Sequence, residues 1–141
     1  MTKIDFYLLP YEAQEEYNKY ICYLIEKIYH KELKVLVNCI DQDHLAALDK
    51  RLWTFRDISF IPHVRIGVDI ESNEKIQLGC LKNDLQGFDV LINCTQTMPS
   101  RPEYYARILE IIPNDEKAKA KGRKLYKDYQ VLGGELSVHK I

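Results

Sequence analysis

Apolar residues recur along this chain at two spacings, and the two alternate. Ile4 to Leu9 is a short β-rich run that Pro10 stops. From residue 12 to 31, Tyr17, Ile21, Leu24, Ile25 and Ile28 return every three or four positions, while Glu15, Glu16, Lys19, Glu26 and Lys27 fall elsewhere. That period predicts a helix with one apolar face. Lys34 to Ile40 (KVLVNCI) is almost continuously apolar and β-branched, the pattern of a strand covered on both faces. Asp41 or Asp43 can cap a second helix reaching about Leu52, with Leu45, Leu48 and Leu52 at core spacing. A β-α-β-α opening predicts a parallel sheet wrapped by helices.

The remainder repeats the theme less regularly. Ile58 to Pro62 is a short apolar stretch, and Val64 to Ile70 reads as a strand or an extended loop. A polar turn, DIESNEK, leads into a strand over Ile76 to Leu81, and Asn83 to Gly87 turns the chain into a second buried strand, Phe88 to Cys94 (FDVLINC). Thr95 to Pro102 is loop. Pro102 suits the first position of a helix, which the pattern extends to about Leu109, leaving Glu110-Ile111-Ile112 as a brief strand before Pro113. Asn114 or Asp115 caps a last helix to about Leu132, stopped by Gly133-Gly134, and a strand or tail closes the chain. No repeat, low-complexity segment or linker interrupts residues 1–141. The expectation is one α/β domain of three layers, Rossmann-like, with a mainly parallel central sheet flanked by helices.

Composition narrows the class. The chain has 141 residues with 20 Lys plus Arg against 21 Asp plus Glu, a formal net charge of −1. Such balance argues against a basic coat for nucleic acid and against an acidic tail protein. No segment approaches the ~20 consecutive apolar residues of a membrane span, and the opening Met-Thr-Lys-Ile-Asp lacks a signal peptide's apolar core. A soluble, cytoplasmic protein is expected. Cys22, Cys39, Cys80 and Cys94 are isolated, with no zinc-ligand spacing, and each sits in an apolar element, so reduced core thiols are expected.

Catalytic signatures are scarce. Six glycines build neither G-x-G-x-x-G nor a phosphate-binding P-loop, and the first strand–helix turn, Leu-Pro-Tyr-Glu, offers a proline where a cofactor needs an amide. Neither cofactor nor metal is expected. Asp41, Asp43 and His44 follow a predicted strand, where α/β active sites commonly sit, and could hold a metal or move a proton. The alternative is a helix cap beside a solvated histidine. Asn93-Cys94-Thr95 matches a glycosylation sequon within an apolar strand, where the match is accidental.

One stretch stands out. Lys117 to Lys127 reads KAKAKGRKLYK, six basic residues in eleven without an acid. Lys119, Arg123 and Tyr126 lie at i, i+4 and i+7, so they share one helical face, with Lys127 adjoining. Arg offers a planar fork for a carboxylate and Tyr an apolar wall with a polar tip, a plausible receptor for an acidic peptide or its terminal carboxylate. Gly122 costs this helix about 1 kcal/mol relative to Ala, which a closely approaching ligand would justify. A solvated basic face and a single-stranded nucleic-acid binder, with Tyr126 and Tyr129 stacking on bases, are the competing readings. A second patch, Leu52 to His63, gathers the sole Trp and two of four Phe, residues that serve equally in a core or as protein–protein anchors.

These segments carry a resemblance. The opening Asp5-Phe6-Tyr7-Leu8-Leu9, the strand Lys34-Val35-Leu36-Val37, the central Leu52-Trp53 … Ser59-Phe60-Ile61-Pro62-His63 and the closing Arg123 … Tyr126-Lys127 … Tyr129 … Val131 … Gly133 resemble, in order and spacing, the chi subunits of bacterial DNA polymerase III holoenzyme. The likeness covers nearly the whole chain and departs around residues 64–87. It implies a Rossmann-like accessory subunit without catalytic activity. It further implies a link from the clamp loader to single-stranded DNA-binding protein, made by capturing that protein's acidic, Phe-terminated C-terminal tail. The family's tail-binding positions fall on Ile112, Lys119, Arg123 and Tyr126. Its surface for the psi subunit, for which an iron–sulfur repair helicase competes in some bacteria, falls on Trp53 and Phe60.

Overall fold

The computed structural model describes residues 2–54, 62–66 and 74–141. The chain runs β1 (Lys3–Leu8), α1 (Gln14–Tyr29), β2 (Val35–Asn38), α2 (Gln42–Thr54), β3 (His63–Arg65), β4 (Ile76–Gly79), β5 (Val90–Asn93), a 3-10 turn (Pro102–Tyr104), β6 (Arg107–Ile112), α3 (Glu116–Val131) and β7 (Glu135–Lys140). Among the described residues seven strands form one sheet in the order β3-β4-β2-β5-β6-β1-β7, with every pairing parallel. This is the three-layer, Rossmann-like arrangement expected from the alternating pattern, now with an order that local periodicity does not specify.

Two cores lie on the two faces. One packs Ile21, Ile25, Leu45, Leu48 and Leu52 of α1 and α2 on Val35, Val37, Val90, Ile92, Leu109 and Ile111. The other packs Ala118, Leu125 and Tyr129 of α3 on Ile4, Phe6, Leu36, Leu91, Ile108 and Ile112. Neighbouring residues of one strand thus enter opposite cores. Val35, Leu36 and Val37 are all fully buried, which is why that strand reads as a continuous apolar run rather than an alternation.

One expectation fails. The helix foreseen from Pro102 to about Leu109 is only a 3-10 turn of three residues, and a six-residue strand begins at Arg107. Arg107 to Ile112 inserts between β5 and β1, where Ile108 and Ile112 face one core and Leu109 and Ile111 the other. A helix over Arg107–Leu109 would forfeit that two-sided burial and the ladder to β1. The closing segment, left open between strand and tail, is strand β7 along the free side of β1. The apolar stretch 58–62 and the alternative strand 64–70 lie largely outside the described residues.

Cys22, Cys39 and Cys94 are buried and Cys80 is partly so; all four are free thiols. Burial pushes the thiols of Cys22 and Cys94 up to about 12. Asn93, the sequon residue, is buried and its amide is consumed by Glu110 and the carbonyl of Thr97. Among the described residues no helix is long and apolar enough to cross a membrane.

Candidate functional site

The N-terminus of α3 is set by Asp115, whose side chain accepts a hydrogen bond from the Ala118 amide at 3.1 Å. From that start, Ala118, Gly122, Leu125 and Tyr129 face the sheet. Lys119, Arg123 and Tyr126 stand beside that buried stripe and lean over the ends of β1 and β6. There they border a cavity of about 330 Å³, lined also by Phe6, Leu8, Leu9, Ile112, Pro113, Gly122 and Val138. The structure therefore brings Ile112, Lys119, Arg123 and Tyr126 together around one pocket.

Its interior is apolar and its rim is basic. Tyr126 packs against Phe6 with ring centroids 5.6 Å apart and planes tilted by 54°, and Phe6 meets Tyr129 edge-on at 6.1 Å. Ile112 is buried and closes the floor beneath Gly122. At the rim, Lys119 Nζ lies 3.7 Å from Glu116 Oε1, a loose and exposed pair. Arg123 is exposed and, among the described residues, has no ion-pair or hydrogen-bond partner. A cation held over an apolar cavity without a counter-ion suits a ligand carrying both an apolar group and a carboxylate. A shallower depression lined by Ala120, Arg123, Lys124, Tyr126 and Lys127 continues the basic surface.

Gly122 needs a different explanation from the one its sequence context suggests. A Cβ there would stand 3.1 Å from Ile112 Cδ1, so the glycine first makes room for the chain's own isoleucine. The sequence did not mark the pocket residues Phe6, Leu8, Leu9, Pro113 and Val138 as site residues. They belong to strands and turns that look like ordinary core, and only long-range pairing brings them to α3.

The remaining candidates have other duties. Asp41 accepts from the His44 amide at 2.8 Å, capping α2. His44 is buried, not solvated: its Nδ1 accepts from the Ile40 amide at 3.1 Å and its Nε2 faces Asn18 Oδ1 at 3.0 Å. Those partners fix a neutral tautomer, and burial holds the imidazole below its ordinary range despite the nearby Asp41 carboxylate. Asp43 is exposed, and among the described residues no group of three His, Cys, Asp or Glu is placed to hold a metal. A larger open depression of about 700 Å³ at the opposite ends of β1 and β6 has Glu103 as the one charged lining residue among the described residues, the wrong sign for an acidic ligand. Tyr129, offered by sequence for base stacking, is buried.

The chain matches the family model of the DNA polymerase III chi subunit, HolC, over residues 1–137 of its 141. It belongs to the chi subunit family. It is 29% identical over 141 residues to the DNA polymerase III subunit chi of Pseudomonas aeruginosa, covering 100% of this chain and 98% of that one. The chi subunit of Haemophilus influenzae is 28% identical over 138 residues, covering 97% of this chain and 96% of that one. That of Escherichia coli is 22% identical over 142 residues, with 97% of each chain covered. The resemblance drawn from residues thus extends over nearly the whole chain, and it places the protein among polymerase III subunits of DNA replication.

The second chi-like surface is partly described. Trp53, at the end of α2, is 57% exposed and meets the His63 ring edge-on at 5.2 Å. His63 and Arg65 on β3 converge on Asp49, each with a nitrogen 2.9 Å from its carboxylate. Phe60 lies outside the described residues. Trp53 neighbours β3 at one end of the strand order, while the pocket adjoins β7 at the other.

Proposed function

We propose that this chi-family protein is a non-catalytic adaptor of DNA polymerase III, working in the cytoplasm as one domain over residues 1–141. Its α3 pocket receives the acidic, Phe-terminated C-terminal tail of single-stranded DNA-binding protein. The observation that carries this reading is the apolar cavity bordered by Ile112 and Tyr126 beneath Arg123, which has no ion-pair partner among the described residues. The terminal phenyl ring enters among Phe6, Leu8, Ile112 and Tyr126, where full burial of such a ring is worth about 1.5–3 kcal/mol. Arg123 pairs with the terminal carboxylate or a tail aspartate, and Lys119 adds attraction at longer range.

Trp53 and Phe60 form the surface for psi or for a repair helicase. Six strand spacings of roughly 4.8 Å separate the two edges of the sheet, so both surfaces can be occupied at once, as a bridge between single-stranded DNA-binding protein and the clamp loader requires. Nucleic acid is then reached only indirectly. A direct stacking platform is disfavoured because Tyr129 is buried and Tyr126 lies against Phe6. An enzyme based on Asp41, Asp43 and His44 is disfavoured because a cap and a fixed neutral tautomer occupy two of the three.

Calorimetric titration with a short acidic peptide ending in Phe, beside the same peptide amidated at its C-terminus, tests the reading. Binding of the acid with at least a tenfold loss for the amide is expected, a charge-assisted hydrogen bond being worth ~1.5–3 kcal/mol. Equal affinity, or no binding of either at low salt, would refute it.

A further inference from the structure

The pocket reaches the last strand of the sheet: Val138 of β7 is one of its lining residues. Among the described residues β7 ends the strand order and pairs with β1 alone. The Glu135 amide donates to the Thr2 carbonyl at 3.3 Å and the Ile141 amide to the Leu8 carbonyl at 3.1 Å. In a parallel ladder the bonding direction alternates along the strand. Glu135, Ser137, His139 and Ile141 therefore turn their main-chain groups inward to β1. Leu136, Val138 and Lys140 turn theirs outward.

Those outward residues are on the pocket side of the sheet. Val138 lines the cavity and is 48% exposed, and Leu136 packs against the α3 core. Charged residues, which discourage edge pairing, stand only at the two ends of β7. Leu136 to His139 contains no proline and no Asp, Glu, Lys or Arg, the flanking charges being Glu135 and Lys140. Lys140 and the Lys119–Arg123 rim put positive charge at the C-terminal end of the edge, complementary to an acidic chain.

From these juxtapositions we infer that the peptide held by the pocket continues along β7 as an eighth strand, its main chain paired to Leu136, Val138 and Lys140. The inference rests on the tail-receptor reading and adds the mode of capture. The pocket lies at the C-terminal ends of β1 and β6. A peptide ending there with its upstream residues beside Glu135 runs parallel to β7. Main-chain pairing supplies affinity that does not depend on side chains, while alternate peptide side chains face the α3 side of the sheet.

Residue-resolved amide exchange on the full chain, with and without saturating acidic Phe-terminated peptide, is the test. Exchange at Leu136, Val138 and Lys140 is expected to slow by about tenfold or more, with Ser137 and His139 little changed. Peptides N-methylated at alternate amides supply the second arm. Methylation at the amides facing β7 should weaken binding by about tenfold, and methylation of the intervening amides should not. Carboxylate-dependent binding without protection at those three amides would overturn the edge inference and leave the pocket reading intact. Absence of binding would overturn both.

Discussion

Glu110 is fully buried in mid-sheet, and its replacement by Gln gives a sharp test of the physical picture. Burial pushes its carboxyl from an ordinary 4.5 up to about 8, against the downward pull of hydrogen bonds from Asn93 and Tyr129. Asn93 Nδ2 lies 2.6 Å from one carboxylate oxygen and 3.1 Å from the other, and the Tyr129 hydroxyl lies 3.3 Å from the first. Two donors do not replace the water a carboxylate loses. The folded protein accordingly holds a proton that the unfolded chain releases above about pH 4.5. Stability contributed by the neutral acid is fully present below 4.5, declines as pH rises, and is gone once pH passes about 8. At about 1.4 kcal/mol per pH unit the full span is worth about 5 kcal/mol, comparable with the total stability of a small domain. Glu110→Gln keeps an acceptor for Asn93 and removes the titration. Urea unfolding of both proteins at pH 5, 7 and 9 should show the difference between them growing with pH. The variant should match wild type to within about 1 kcal/mol at pH 5 and exceed it by several at pH 9. A pH-independent difference, or a variant less stable than wild type at pH 9, would refute the reasoning.

Further outcomes follow from the same geometry. Arg123→Ala should weaken tail-peptide binding about 10- to 100-fold by calorimetry and shift the thermal midpoint by little, since an exposed cation without a partner contributes little to the fold. Gly122→Ala improves helix propensity by up to about 1 kcal/mol but presses on Ile112 Cδ1 at 3.1 Å. Stability should therefore change by less than about 1 kcal/mol while peptide affinity falls, because Ile112 is displaced toward the cavity. His44→Ala should cost about 1–3 kcal/mol in urea unfolding by stranding the Ile40 amide and Asn18. Because the folded His44 resists protonation, its contribution is complete above about pH 6.5 and declines as pH falls below that value. Asp43→Ala should cost no more than about 1 kcal/mol, since Asp43 is exposed in the first turn of α2, favoured only by the helix dipole.

Most elements and one half of the candidate site were legible in the residues themselves. Turn signals and hydrophobic period are local properties, so α1, α2, α3 and the two largely apolar strands β2 and β5 are written directly into the chain. The Lys119–Arg123–Tyr126 face is equally local: the helical repeat alone aligns positions four and seven apart. The opposing half of the pocket is not. Phe6, Leu8 and Val138 reach α3 only because β1 pairs in parallel with β6 and β7 across about a hundred intervening positions. The same pairing decided the fate of Arg107 to Ile112. Its residues are compatible with a helix end followed by a brief strand, but a slot between β5 and β1 buries both of its faces, and only an extended chain can use both. Glu110 illustrates the limit most plainly. In sequence it is one more charged residue; its burial and upward titration exist only because the sheet closes around it. Local pattern thus determined which segments form elements and which helix face is basic, while long-range strand pairing decided which surfaces meet, where the cavity opens and which edge of the sheet stays free.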